Sequence, residues 1–244
     1  MCTVSWCQQS EGYTLFFNRD ESKGRSEGLP PQPHVGDSVA YVCPRDPDGG
    51  GTWLLANSHG LTLGLLNYYE TQGRYRPTAP LSRGRLPLDC RTFRILDEVE
   101  NFFTSVDLSP FPPFLFLGID PACRTVLIRW TGKRPRISQP GFSQLPLTTS
   151  AFQPDAVVAE RRANFRRQIP SLECAPERLV QFHQSHDPDR SAFSPLMTRP
   201  DARTVSLSQI SVSRKETRFT YRDRRGDFPQ LSDPVSVSIP RKAP

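Results

Sequence analysis

Three times along this chain, two short apolar runs flank a turn built from Gly, Pro, Asn, Asp or Ser. The first pair is 2–7 and 13–17, joined by the polar residues 8–12. The second is 52–57 and 61–67 around Ser58-His59-Gly60, and the third is 114–120 and 125–130 around Pro121. Short β-branched and aromatic runs joined by such turns form β-hairpins. The second hairpin is apolar almost throughout, so both faces of its sheet are expected to be covered. Ahead of it, a strand at 39–43 runs into Pro44-Arg45-Asp46-Pro47-Asp48-Gly49-Gly50-Gly51, the strongest turn signal in the sequence. There Pro sets φ and Gly supplies positive φ for a tight reversal.

The rest of the chain alternates between helices and further strands. Cys90, Phe93, Ile95, Leu96, Val99, Phe102 and Phe103 approximate a 3.6-residue spacing with Asp97, Glu98 and Glu100 between them, which predicts a helix. Further helices are expected at 155–168, stopped by Pro170, and at 176–186, and strands within 140–149 and at 202–213 and 217–222. Residues 22–35, with Pro30, Pro31 and Pro33, and the basic stretch 74–85 are expected to be loops. The 25 prolines argue against long helices. Strands interrupted by helical blocks make the class α+β, with helices packed on sheets. The expected organisation is one domain over residues 1–226 and a frayed Pro/Ser-rich tail over 227–244.

A net charge of +6 favours acidic partners: phosphate-bearing metabolites, anionic membrane surfaces or nucleic acid. The excess lies late, in Arg161, Arg162, Arg166 and Arg167 and in Arg214, Lys215, Arg218, Arg222, Arg224 and Arg225, and is expected to be a solvated basic face. Nucleic-acid binding would need aromatics interleaved with that face. Phe219 and Tyr221 serve equally well as core residues, so nucleic acid is disfavoured as a partner. No apolar run is long enough to span a bilayer, and no basic region followed by an apolar one marks a secretory signal. Six widely spaced cysteines without a CxxC pair are expected to be free thiols in a reducing compartment, by default the cytoplasm. His183 and His186 lie three apart, with Asp187 and Asp189 nearby, but nothing at standard spacing completes a metal site. With no Walker A, GxGxxG or HExxH pattern either, no cofactor and no metal are expected.

The chemistry concentrates at the N-terminus. Removal of Met1 would place a free α-amine on the same residue as the Cys2 thiol. Such an amine titrates near ~7.7–8.0 and a thiol near ~8.5, so the amine serves as the base without a separate histidine. Arg19 closes the second strand of the hairpin and would favour the thiolate. Asp20, beside it, would hold the ammonium or orient a substrate amide.

Met1-Cys2, Asn18-Arg19-Asp20-Glu21, the Pro44–Trp53 turn and Asn57-Ser58-His59-Gly60-Leu61 through Asn67 resemble the NRDE family, named for that tetrad. Its eukaryotic members are called transport and Golgi organization proteins. The resemblance is close over residues 1–70 and looser to about 225. It implies a four-layer αββα sandwich of the N-terminal nucleophile (Ntn) hydrolase type, similar to the choloylglycine hydrolase and penicillin V acylase group. It also implies that Cys2 is nucleophile and amine, Arg19 the strand-closing arginine, Asn67 an oxyanion donor and Arg199 a late arginine. Two departures stand out. The acylases place their acid three residues after the arginine, a spacing held here by Ser22, whereas Asp20 is adjacent; and Thr149 stands where they have a second oxyanion Asn. Two functions follow: hydrolysis of a small-molecule amide or thioester, or non-catalytic handling of a lipid-like or acyl-CoA-type ligand. Electrostatic nucleic-acid binding is the third, with affinity falling steeply with salt.

Overall fold

The computed structural model describes residues 2–35, 38–69, 75–224, 226 and 229–242; the fate of Met1, the start of the basic stretch at Arg74, and Arg225 lie outside them. In chain order its strands are β1 (Cys2–Gln9), β2 (Gly12–Ser22), β3 (Leu29–His34), β4 (Tyr41–Arg45), β5 (Leu54–Asn57), β6 (Thr62–Asn67), β7 (Phe114–Ile119), β8 (Thr125–Trp130), β9 (Arg136–Ser138), β10 (Leu147–Thr149), β11 (Ala202–Val212), β12 (Glu216–Asp223) and β13 (Val235–Pro240). The helices are α1 (Arg85–Asp89) and α2 (Leu96–Ser105) between β6 and β7, and α3 (Pro154–Gln168) and α4 (Pro176–Gln184) between β10 and β11.

All strand pairings among them are antiparallel. One sheet runs β10-β1-β2-β11-β12-β13 and the other β3-β4-β5-β6-β7-β8-β9. Helices α3 and α4 lie on the first sheet, α1 and α2 on the second, and the sheets meet face to face. The architecture is therefore the α+β sandwich of four layers, αββα. Strand alternation sorts the side chains. Tyr13 points inward and donates to Thr62 Oγ1 of the facing sheet at 2.6 Å, and Phe17 and Trp6 share that interior. Thr3, Ser5 and Asn18 point outward to the α3–α4 layer. Phe219 and Tyr221 are buried in the core rather than displayed on a basic face.

The three hairpins form as their runs and turns dictate. In the second, Asn57 Oδ1 accepts from the His59 and Leu61 N–H groups while Gly60 takes φ +76°, so the Asn-Ser-His-Gly sequence is a side-chain-closed turn. Several expectations need correction. Strand β2 does not stop at Phe17 but runs through Asn18, Arg19 and Asp20 to Ser22. Those polar residues read as a strand end because their partners are distant in sequence. Asn18 Nδ2, for example, donates to the carbonyls of His183 (2.9 Å) and Pro195 (2.8 Å). The presumed loop 22–35 contains β3, whose prolines are accommodated because it is an edge strand. The helical periodicity from Cys90 to Phe103 becomes helix only from Leu96, in α2, while Cys90 caps the separate short helix α1, and the short strand β9 had no clear signal. The expected frayed tail instead carries β13, paired with β12 from Glu216↔Pro240 to Tyr221↔Val235. No described helix is long and apolar enough to cross a membrane.

His183 is fully buried, and no group of three or more metal-binding side chains occurs among the described residues. Asn18 uses its Nδ2 on two carbonyls, so its Oδ1 accepts from His183 Nδ1–H at 2.6 Å, and Nε2 accepts from the Ser5 hydroxyl at 2.8 Å. Burial, then the charge of Arg161, hold its pKa down at about 3, against an ordinary 6.5. A group kept neutral by folding stabilises above its unfolded pKa and loses that contribution as pH falls from 6.5 toward 3. The loss reaches about 4 kcal/mol at roughly 1.36 kcal/mol per pKa unit. Urea melts at pH 7 and 4.5 are expected to show it, and His183→Gln to flatten the slope over that window.

Candidate active site

The end of the sandwich where β1 begins and β2 and β6 finish holds a cavity of about 390 Å³. Cys2 lies directly opposite Arg19 on β2 and opposite Thr149 on β10, and Arg19 lies opposite Ser206. Directly paired residues project to one face of a sheet, so Thr149, Cys2, Arg19 and Ser206 form a row facing the second sheet. Across it, Asn67 ends β6, lines the cavity and donates from Nδ2 to the Tyr69 hydroxyl at 3.2 Å. Cys2, Arg19 and Asn67 thus meet in one cleft.

Arg19 is almost wholly buried. Its guanidinium carbon stacks 4.0 Å from the centre of the Trp53 ring, and its Nη2 pairs with Glu21 at 3.3 Å and Asp46 at 3.8 Å. A Cβ on Gly28 would come within 2.6 Å of Trp53 and 3.1 Å of Arg19 Nη1, so only glycine closes over this stack. The Pro-Asp-Gly turn, expected only to reverse the chain, also supplies the cluster: Asp46 takes Arg25 in a fork at 2.7 and 2.9 Å.

Asp20 faces the other way. As the next residue after Arg19 it projects through the sheet, where its Oδ2 meets Arg161 Nη1 at 3.3 Å and its Oδ1 accepts from Thr204 at 2.6 Å. Arg161 Nη1 also donates to the Thr3 and Thr148 hydroxyls at 2.7 and 3.1 Å. The expectation of a solvated face fails at Arg161, whose side chain is wholly buried. The signal that finds it is positional: Val157, Arg161 and Phe165 form one i, i+4, i+8 stripe, the buried face of α3. Arg199 does not reach the Cys2 cavity. It pairs with Asp201 and lines a separate cleft beside Phe152 and Phe193.

Burial is the main influence on the Cys2 thiol and pushes its pKa up to about 11. The Asp20 carboxylate pushes the same way, while a hydrogen bond from the Asp20 main chain and the charge of Arg19 oppose it. The sulfur is thus protonated at neutral pH and needs a base to act as a nucleophile. Thr149 Oγ1, next to it on β10, is buried and makes no hydrogen bond. Arg83, from the turn before α1, also lines the cavity, and no sequence pattern pointed to it.

The fold is similar to that of several solved hydrolases. The chain superposes on penicillin V acylase from Agrobacterium tumefaciens with a TM-score of 0.55 at 14% identity, covering 91% of this chain and 83% of that one. A mutant of the conjugated bile acid hydrolase from Clostridium perfringens gives 0.56 at 11% identity (99% and 97% covered). The Caenorhabditis elegans ortholog of N-acylethanolamine-hydrolyzing acid amidase gives 0.58 at 10% (86% and 92%). No curated protein matches in sequence. By sequence, the chain belongs to the transport and Golgi organisation 2 family, which it matches over residues 1–217.

Proposed function

We propose that this chain hydrolyses a small-molecule amide or thioester through Cys2, once Met1 has been removed. The observation that carries the reading is the meeting of Cys2, Arg19 and Asn67 in one cavity of the Ntn-hydrolase fold. The exposed α-amine takes the thiol proton, and the sulfur attacks the carbonyl carbon. The oxygen gains the negative charge, received by the Asn67 amide and the Thr149 hydroxyl. On collapse, the carbon–nitrogen or carbon–sulfur bond breaks, the ammonium returns its proton to the leaving group, and the acyl group remains on sulfur. Water, deprotonated by the same amine, then releases the acid. Arg19 steadies the thiolate. Asp20, through Arg161, Thr3 and Thr148, fixes the strands on either side of the nucleophile. Thiol chemistry of this kind suits a reducing compartment such as the cytoplasm.

The depth of the sulfur favours a second reading, non-catalytic handling of a lipid-like or acyl-CoA-type ligand, because a thiol with a pKa near 11 is a poor nucleophile unaided. A thiol-reactive acyl probe, followed by intact mass, separates the two. Protein with Cys2 at its N-terminus is expected to take up one acyl group at pH 7.5, and Cys2→Ala none. Protein retaining Met1 is expected to label slowly, with a rate rising about tenfold per pH unit toward pH 11, as thiolate fraction dictates. Absence of labelling in the processed protein, with ligand binding intact in Cys2→Ala, would establish the second reading.

A further inference from the structure

Among the described residues, seven charged ones line the Cys2 cavity, and six of them have partners of opposite charge. Arg19 pairs with Glu21 and Asp46, Arg25 with Asp46 at 2.7 Å and Asp48 at 3.5 Å, and Asp20 with Arg161. Arg83 is the seventh. Among the described residues no carboxylate lies within ion-pair distance of its guanidinium, which donates from Nη1 to the Pro113 carbonyl at 2.9 Å. The residue is half-buried, and burial draws its pKa down while the nearby Tyr69, Cys2 and Glu21 draw it up.

Its position is fixed by the backbone. Thr52 N–H donates to the Gly84 carbonyl at 2.9 Å, and a Cβ on Gly51 would stand 2.4 Å from that oxygen, so the Asp46–Gly51 turn and the Arg83 turn touch main chain to main chain. The Pro113 carbonyl holds the guanidinium from the other side. A half-buried cation held this way, with no counter-charge among the described residues, is complementary to an oxyanion, which the planar guanidinium grips with two parallel N–H groups. At about 390 Å³ the cavity is at the small end of ligand pockets.

We propose that Arg83 selects the substrate: the amide or thioester handled at Cys2 is a small molecule bearing a carboxylate or phosphate group, which the Arg83 guanidinium holds. The assignment rests on the hydrolase reading for its use of the word substrate, but anion binding at Arg83 is measurable without catalysis.

Thermal melts with glutarate, inorganic phosphate and the uncharged glutaramide test it, in the wild-type chain and in Arg83→Gln and Arg83→Lys. Gln keeps a donor for the Pro113 carbonyl, and Lys keeps the charge. Glutarate or phosphate is expected to raise the wild-type Tm, glutaramide not to, with Arg83→Gln losing the rise and Arg83→Lys keeping part of it. Whichever anion acts names the chemistry. The same anion is expected to slow iodoacetamide labelling of Cys2 at least threefold, which places it in this cavity. The inference is overturned if neither anion stabilises more than glutaramide, if Arg83→Gln keeps the rise, or if the bound anion leaves Cys2 labelling unchanged. An anion-dependent rise without acyl transfer sinks the hydrolase reading and keeps Arg83 as an anion site; acyl transfer without any rise does the reverse.

Discussion

Arg161→Met is expected to destabilise the protein by about 3–5 kcal/mol, the range for removing one partner of a buried ion pair. The side chains of Arg161 and Asp20 are both wholly buried. Methionine fills much of the arginine's space but leaves the Asp20 carboxylate without its cation, and the Thr3 and Thr148 hydroxyls without their charged donor. Adding Asp20→Asn to Arg161→Met removes the stranded charge and is expected to recover a large part of the loss, because the greater cost is the uncompensated carboxylate rather than the missing attraction. Urea denaturation of the two single variants and the double variant measures the coupling. A loss below about 1 kcal/mol in Arg161→Met would mean that the pair contributes nothing the fold depends on. Thr3 and Thr148 sit beside Cys2 and Thr149 on β1 and β10, so the same arginine locks the register that brings Thr149 opposite Cys2.

The second large effect belongs to the proposed oxyanion donors. Asn67→Ala is expected to lower kcat for an acyl probe by about 10²–10³, the cost of losing one such donor, with little change in KM. Thr149→Val makes a sharper test. The Thr149 hydroxyl is buried without a partner in the free protein, so removing it takes away no ground-state hydrogen bond. A valine of nearly the same shape is therefore expected to leave the urea midpoint almost unmoved while slowing acylation. If both fall together, Thr149 is a packing residue. If neither falls, the oxyanion is held elsewhere.

How much of this the sequence disclosed depends on the range of the interaction involved. Hairpins close over a few residues, so the turns at Pro44–Gly51 and Ser58-His59-Gly60 and the runs beside them placed three strands within a few residues of their observed limits. The meeting of Cys2 with Arg19 was legible for the same reason, since one hairpin register puts them opposite each other. Asn67 came from family resemblance rather than from local pattern. What stayed hidden is what depends on partners more than a hundred residues away. Asp20 was expected to hold the ammonium or orient a substrate amide, but Arg161, 141 positions later, takes its carboxylate on the other face of the sheet. Arg161 looked like one of a basic run because its neighbours Arg162, Arg166 and Arg167 share its type but not its face. Arg83 sits in a short basic turn whose composition suggests only solvent, and its place in the cavity follows from a glycine contact between two loops.

Strand β3 has a bearing on how this molecule behaves in a crowd. It borders the seven-stranded sheet, and three of its six residues are proline, so only Leu29, Gln32 and His34 have an amide hydrogen to offer on either side. A neighbouring chain that tried to add itself there as an eighth strand would find half the donors missing. The rim nearest the Pro44–Gly51 turn is thereby kept from seeding fibres.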